Sequence, residues 1–141
     1  MWIYNKARAV IMQWSKILLV KDVNTGEFVL PWWTHEVWET IRECFKREIF
    51  EELWKDPEIH RCVFVREFTN SSRSSSVDYW FTVKNNEDYF VIHQNDCSHG
   101  SEWSEYWFYD IDTLEIDFPI HKNLKIDLQN LERDKTGIQL V

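Results

Sequence analysis

Short apolar stretches separated by turn residues characterise the start of the chain. Residues 7–12 and 16–21 are apolar and rich in β-branched side chains, and residues 13–15 lie between them, which predicts a hairpin or two adjacent strands. The turn signal at 24–26 precedes another strand-like stretch, 27–30. The N-terminal third is therefore predicted to be sheet.

The hydrophobic period then changes from strand-like to helical. Residues 32–38 follow Pro31 and fit neither period, so we expect a loop there. Across residues 39–53 the apolar side chains recur at steps of three and four, at Ile41, Cys44, Phe45, Ile49 and Leu53. This pattern predicts one amphipathic helix.

Strand-like patterns return in the second half of the chain. Further strands are predicted at 59–68, 77–83, 89–94 and 105–109. The serine-rich stretch 70–76 and residues 96–101 are expected to be loops, the first of them mobile. After Pro119, leucines at helical spacing predict a packing helix that ends near residues 134–137. The order of elements predicts an α/β (α+β) fold, in which helices cover a mixed central sheet.

Composition narrows the class of protein without identifying its activity. A chain of 141 residues, 44% hydrophobic and 28% charged, fits a single globular domain spanning 1–141. No apolar run approaches the ~20 residues of a membrane helix, and the first residues do not resemble a signal peptide, so a cytoplasmic location is expected. The cysteines, Cys44, Cys62 and Cys97, show no CxxC spacing and are expected to be reduced thiols.

The net charge of −8 disfavours nucleic acid as a partner, because it would repel a phosphate backbone. No cluster of lysine and arginine provides a local exception. An acidic protein that acts on a phosphorylated small molecule usually needs a metal ion between the two. We therefore expect neither nucleic acid nor a membrane among the partners.

A run of acidic residues on the predicted helix is the strongest candidate for chemistry. Glu48, Glu51 and Glu52 stand at i, i+3 and i+4, so their carboxylates share one helix face. Like charges at this spacing repel each other, and a divalent cation would relieve the repulsion. Oxygen ligands favour Mg²⁺, or Mn²⁺ as the alternative, over zinc. The competing interpretation is a solvated acidic face with no ligand.

The surrounding sequence resembles the Nudix box. The pattern Trp33-x5-Glu39-x7-Arg47-Glu48-Ile49-Phe50-Glu51-Glu52-Leu53-Trp54 has the spacing of Gly-x5-Glu-x7-Arg-Glu-U-x-Glu-Glu-x-Gly-U, where U is aliphatic. The match in type and register covers Glu39, Arg47, Glu48, Ile49, Glu51 and Glu52. Flanking strands and a closing helix extend the resemblance over nearly the whole chain. It implies a Nudix-type α/β/α sandwich.

The resemblance also implies an activity and roles for these residues. A Nudix hydrolase is a Mg²⁺-dependent nucleotide pyrophosphatase that cleaves the diphosphate linkage of a nucleoside diphosphate linked to another moiety X. Glu48, Glu51 and Glu52 would hold the metal, and Glu48 or Glu52 would activate the attacking water. Arg47 would orient a catalytic carboxylate, and Glu39 would support the loop before the helix. A further acid from a later loop, Glu102 or Glu105, and a homodimer are open under this resemblance.

Both box glycines are replaced, by Trp33 and Trp54, and Lys55 stands at the last aliphatic position. Trp14, Trp32 and Trp38 also occur where glycine would be natural, and the chain holds 3 glycines against 9 tryptophans. One hypothesis is that the gene encodes glycine with UGA, which is translated here as tryptophan. Genuine tryptophans would instead favour a catalytically impaired Nudix-fold module that binds a nucleotide or a protein. An unrelated acidic domain that docks a basic partner is the remaining alternative.

Overall fold

The computed structural model describes residues 2–91 and 103–112, without the side chains of residue 70 and residues 103–105. The predicted helix after Pro119 and the predicted loop 96–101 lie outside these ranges. No helix in the described ranges is long and apolar enough to cross a membrane. The elements are β1 (Trp2–Val10), β2 (Met12–Gln13), β3 (Lys16–Asp22), β4 (Phe28–Val29), β5 (Trp32–Thr34), α1 (Ile41–Leu53), β6 (Ile59–Ser71), β7 (Ser74–Val83), α2 (Asn86–Tyr89) and β8 (Trp103–Asp110).

The described residues form two four-stranded sheets, and the one with the strand order β5-β1-β7-β6 is mixed, as the sequence predicts. β1 runs parallel to β7, whereas the β1–β5 and β6–β7 pairs are antiparallel. A parallel pair needs a long crossover connection, and here the crossover contains α1. The helix therefore lies between the two strands in sequence and packs against β1 in space.

The second sheet is built on β3, which pairs antiparallel with β2, β4 and β8. The predicted N-terminal hairpin is confirmed, since Met12 pairs with Ile17 and the chain reverses at Trp14 and Ser15. Both turn residues have positive φ angles, 52° and 65°. The predicted strand near the end of the described ranges is also present, as β8.

Alternating side chains of β1 divide the core into two clusters. Ala7 and Ala9 belong to the cluster under α1, which also contains Phe45. Val10 belongs to the second cluster, together with Trp80. Successive residues of a strand point to opposite faces, so each face of the mixed sheet covers a separate apolar layer.

A buried ion pair joins the two parallel strands. Arg8 lies between Ala7 and Ala9 in β1, so its side chain points away from the α1 layer. Its Nε donates to Asp78 Oδ2 in β7 at 2.5 Å, and the two side chains are 5% and 0% exposed. Arg8 Nη1 also donates to the carbonyl of Leu30 at 3.5 Å. The pair therefore links β1, β7 and the segment before β5.

Two segments that were predicted to be loops form strands instead. Residues 32–34 pair with β1 as β5, with Ala7 opposite Trp33. The serine-rich stretch is not a mobile loop, because β6 runs to Ser71 and β7 begins at Ser74, and the two residues pair across a tight turn. In both cases a neighbouring strand pairs with the backbone N–H and C=O groups of the segment. The local sequence pattern does not show that such a partner strand is available.

The strand predicted at 89–94 is wrong over its described part. Residues 86–89 form the short helix α2, and Phe90 caps it. Tyr89 is 1% exposed, and its hydroxyl donates to the carbonyl of Lys55 at 3.3 Å. Its ring therefore faces the core from a helical turn. A short apolar stretch in the sequence does not distinguish a helical turn of this kind from a strand. Residues 92–94 lie outside the described ranges.

Candidate active site

The start of α1 is fixed by its own side chains. Thr40 is the N-cap, so the helix begins at Ile41, two residues after its predicted start at Glu39. Its Oγ1 accepts from the backbone N–H of Glu43 at 3.1 Å, and Glu43 Oε2 accepts from the N–H of Thr40 at 2.8 Å. This reciprocal capping box satisfies two N–H groups that the helix itself leaves unpaired.

The apolar side of α1 fixes its rotation. Cys44, Phe45, Ile49 and Leu53 are buried against the sheet, as the helical period predicts. Because the rotation of the helix is fixed, Glu48, Glu51 and Glu52 lie within about one helical turn of each other, on the side of α1 that is less buried. The side chain of Glu48 is 20% exposed and that of Glu51 is 56% exposed.

A two-point ion pair connects the preceding loop to the helix. Arg47 Nη2 donates to Glu39 Oε1 at 2.8 Å, and Arg47 Nε donates to Glu39 Oε2 at 3.0 Å. The Glu39 side chain is 2% exposed. The hydrogen bonds from Arg47 hold the pKa of this carboxyl below its usual value, although burial acts in the opposite direction. The supporting role of Glu39 stays a prediction.

The same guanidinium reaches two of the predicted metal ligands. Arg47 Nη1 lies 2.9 Å from Glu48 Oε1 and 3.3 Å from Glu51 Oε2. Burial raises the pKa of Glu48, and the neighbouring positive charge of Arg47 offsets this only in part. One arginine thus holds three carboxylates near the start of the acidic turn, including that of Glu39.

Glu52 has a different partner, which sequence reasoning did not identify. The indole Nε1 of Trp33 donates to Glu52 Oε2 at 2.9 Å. Trp33 is 3% exposed and packs edge-on against Phe45, with ring centroids 6.1 Å apart. In the Nudix box this position is glycine, which has no side-chain donor. The one sequence signal for this contact is therefore the tryptophan that replaces glycine at position 33.

The donor chemistry of the acidic turn suits Mg²⁺. Within residues 2–91 and 103–112, no group of three or more His, Cys, Asp or Glu side chains is arranged to hold a metal ion. Mg²⁺, however, typically takes only one or two protein carboxylates and completes its shell with water and substrate phosphates. The carboxylate oxygens of Glu48, Glu51 and Glu52 are ligands of the kind that Mg²⁺ takes, and Arg47 and Trp33 are hydrogen-bond partners of these side chains.

Glu102 and Glu105 are the two candidates for a further acid from a later loop. Glu102 lies outside the described ranges, and Glu105 lies in β8 without a described side chain.

Cys44 and Cys62 are free, as predicted, and Cys97 lies outside the described ranges. Burial raises the pKa of the Cys44 thiol to about 12, with Glu39 adding to the effect. A thiol with this pKa stays protonated at neutral pH and is not a nucleophile.

Comparison with known proteins identifies the fold. No family model matches the chain, and no curated protein matches it. Solved structures do, among them a MutT Nudix hydrolase from Burkholderia pseudomallei, with a TM-score of 0.74 and 16% identity over 91% of this chain and 98% of that one. An ADP-ribose pyrophosphatase from Streptococcus suis has a TM-score of 0.65 and 22% identity, over 97% and 96% of the two chains.

A structure described as a UDP-X diphosphatase has a TM-score of 0.70 and 20% identity, and the match covers 100% of this chain and 68% of that one. TM-scores at this level, over most of each chain, establish a shared fold. The chain therefore has the fold of the Nudix hydrolases, and the fold expected from the sequence resemblance is confirmed.

Proposed function

We propose that this protein is a nucleotide pyrophosphatase of the Nudix type. It would cleave the diphosphate linkage of a nucleoside diphosphate linked to another moiety X, with Mg²⁺ or Mn²⁺ as cofactor. The substrate is a small molecule, which agrees with the net charge of −8. The structural neighbours named as acting on ADP-ribose and on UDP-X compounds support the class of substrate.

The observation that carries the proposal is the network centred on Arg47. A structural ion pair would need only one carboxylate, whereas this guanidinium contacts Glu39, Glu48 and Glu51 at the same time. It gathers negative charge at one turn of the helix. Perturbed and clustered carboxylates of this kind are typical of functional sites.

The residues of the chain have separate tasks in this proposal. When bound, the divalent ion would supply charge neutralisation at the diphosphate and acidify a bound water. Glu48, Glu51 and Glu52 would hold that ion. Glu52 or Glu48 would also accept a proton from the attacking water. Arg47 would keep Glu48 and Glu51 in place, and Glu39 would keep Arg47 in place by its two hydrogen bonds.

Hydrolysis of a nucleotide panel with and without divalent ions tests the proposal. The panel would include ADP-ribose, UDP-sugars and nucleoside triphosphates, with release of the nucleoside monophosphate or phosphate as the readout. We expect turnover that requires Mg²⁺ or Mn²⁺ and is abolished by chelation. Glu52→Gln should lower kcat by about 100-fold or more, the effect of losing a general base or metal ligand.

Glu43→Gln is the matched control on the same helix. A glutamine at this position can still complete the capping box, so helix stability should change little. Equal loss of activity in Glu43→Gln and Glu52→Gln would contradict the assignment of the acidic turn. Metal-independent turnover would contradict the proposed cofactor.

One observation favours a second candidate function. Trp33 fills the space beside Glu52, at a position where the box has glycine, and its indole occupies one carboxylate oxygen. A chain that keeps this contact in the presence of nucleotide would be a catalytically impaired Nudix-fold module that binds nucleotide or protein. Nucleotide binding by calorimetry without turnover on the panel would support this candidate.

A further inference from the structure

Two tryptophans occupy a backbone conformation that suits glycine. Among the described residues other than glycine, positive φ occurs at Trp14, Ser15 and Trp54, with 52°, 65° and 58°. Trp14 lies in the turn between β2 and β3. Trp54 ends α1 in the left-handed region with ψ 21°, where its N–H donates to the carbonyl of Phe50 at 3.0 Å.

The left-handed conformation is costly for a residue with a Cβ atom. It brings Cβ close to the following carbonyl oxygen, whereas glycine adopts it freely. Helices commonly end on such a residue, and it is usually glycine. Asparagine and aspartate are the usual substitutes, because their short polar side chains can hydrogen-bond locally. A bulky indole has no such compensation.

Packing does not compensate for this cost either. The side chains of Trp14 and Trp54 belong to residues that are 78% and 63% exposed. By contrast, Trp80 is fully buried and packs edge-on against Phe64, with centroids 5.1 Å apart. Trp80 therefore fills the core, whereas Trp14 and Trp54 lie in solvent on a backbone conformation suited to glycine.

We infer that positions 14 and 54 are glycine in the protein made by cells that carry this gene, inserted at UGA codons. The composition agrees, because 3 glycines among 141 residues are far fewer than the ~7% of average usage. Glycine at 54 would let α1 end without strain, two residues after the last carboxylate of the acidic turn. The inference depends on backbone conformation and not on the proposed activity.

Peptide mass spectrometry of the protein isolated from those cells tests the inference. Trypsin would release residues 9–16 with Trp14, residues 48–55 with Trp54 and residues 74–84 with Trp80, one tryptophan in each. We expect the masses of glycine peptides for the first two and of a tryptophan peptide for the third. Tryptophan in 9–16 or 48–55 would overturn the inference. Residues 22–42 report on Trp32, Trp33 and Trp38 in the same digest.

A stability comparison tests the conformational basis on recombinant protein. At position 54, Trp54→Gly should melt above Trp54→Ala by roughly 4 °C, because only glycine removes the left-handed cost. At the exposed control position 38, which lies outside the positive-φ region, the order should reverse, with Trp38→Ala above Trp38→Gly. The same order at both positions would overturn the argument. Neither experiment measures hydrolysis, so failure here is distinct from failure of the proposed function.

Discussion

At the scale of single residues, Arg47 has the largest number of charged partners around the acidic turn. Its side chain is 29% exposed, and that of Glu39 is 2% exposed, so the pair between them is largely shielded from solvent. A lysine at position 47 could not reproduce the two parallel hydrogen bonds to Glu39, because its ammonium is a single point of charge.

Loss of the guanidinium should destabilise the fold as well as the site. Arg47→Gln leaves the buried Glu39 carboxylate without its charged partner, and we expect the free energy of unfolding to fall by about 2 kcal/mol. Urea unfolding at neutral pH measures this. Lys46→Gln is the neighbouring control, because the ion pair of Lys46 with Asp56, at 4.0 Å, is exposed and its loss should change stability little. Equal effects of the two variants would contradict the importance assigned to the Arg47 pair.

The depressed pKa of Glu39 predicts how this stability depends on pH. A carboxyl whose pKa is lower in the folded state contributes stability above its unfolded pKa, which is ordinarily near 4.5, and loses that stability as pH falls through the folded pKa. The stability difference between wild type and Glu39→Gln should therefore be constant near neutral pH and shrink on acidification. A difference that persists unchanged in acid would contradict the direction of the shift.

At the scale of elements, α1 is stabilised at its start by local hydrogen bonds and along its length by burial. Thr40→Ala removes the acceptor for the Glu43 N–H and should cost about 1 kcal/mol of unfolding free energy. Thr40→Ser retains the hydroxyl and should be close to wild type. Thermal unfolding of both variants provides the measurement. If alanine and serine had the same effect, the cap would not contribute as proposed.

The sequence predicts those elements whose pattern is local. The helical period of Ile41 to Leu53 fixed the face of α1 that packs on the sheet, and hence the side on which the glutamates lie. By contrast, residues 32–34 become a strand only because β1 offers a partner 26 residues earlier at Ala7 opposite Trp33. No local pattern contains that information.

The same limit applies within the site. The spacing of Glu48, Glu51 and Glu52 follows from helix geometry, so their placement on one turn could be predicted. The contact between Trp33 and Glu52 joins β5 to α1 and depends on how the two elements pack. The double hydrogen bond between Arg47 and Glu39 likewise depends on the path of the loop before the helix.

At the scale of the whole molecule, the buried pair of Arg8 and Asp78 connects strands that are distant in sequence. Arg8→Met leaves Asp78 in an apolar layer without its partner and should destabilise the fold by about 3–5 kcal/mol. The double variant Arg8→Met/Asp78→Leu removes both charges and should recover a large part of that loss. Denaturant unfolding of the two variants measures the difference. A double variant less stable than the single one would contradict this interpretation.

The parallel pairing of β1 with β7 also sets an order of events during synthesis. Trp2 pairs with Ser74, so the first strand leaves the ribosome 72 residues before its parallel partner. At ordinary translation speeds this interval lasts about 4 to 14 s. During that time the hairpin of β2 and β3 and the β1–β5 pair can form. The backbone N–H and C=O groups on the other edge of β1 stay unpaired until β7 is made. Nascent chains are therefore most exposed to misassociation just before β7 is made, and slower translation of residues 11–73 would lengthen that period.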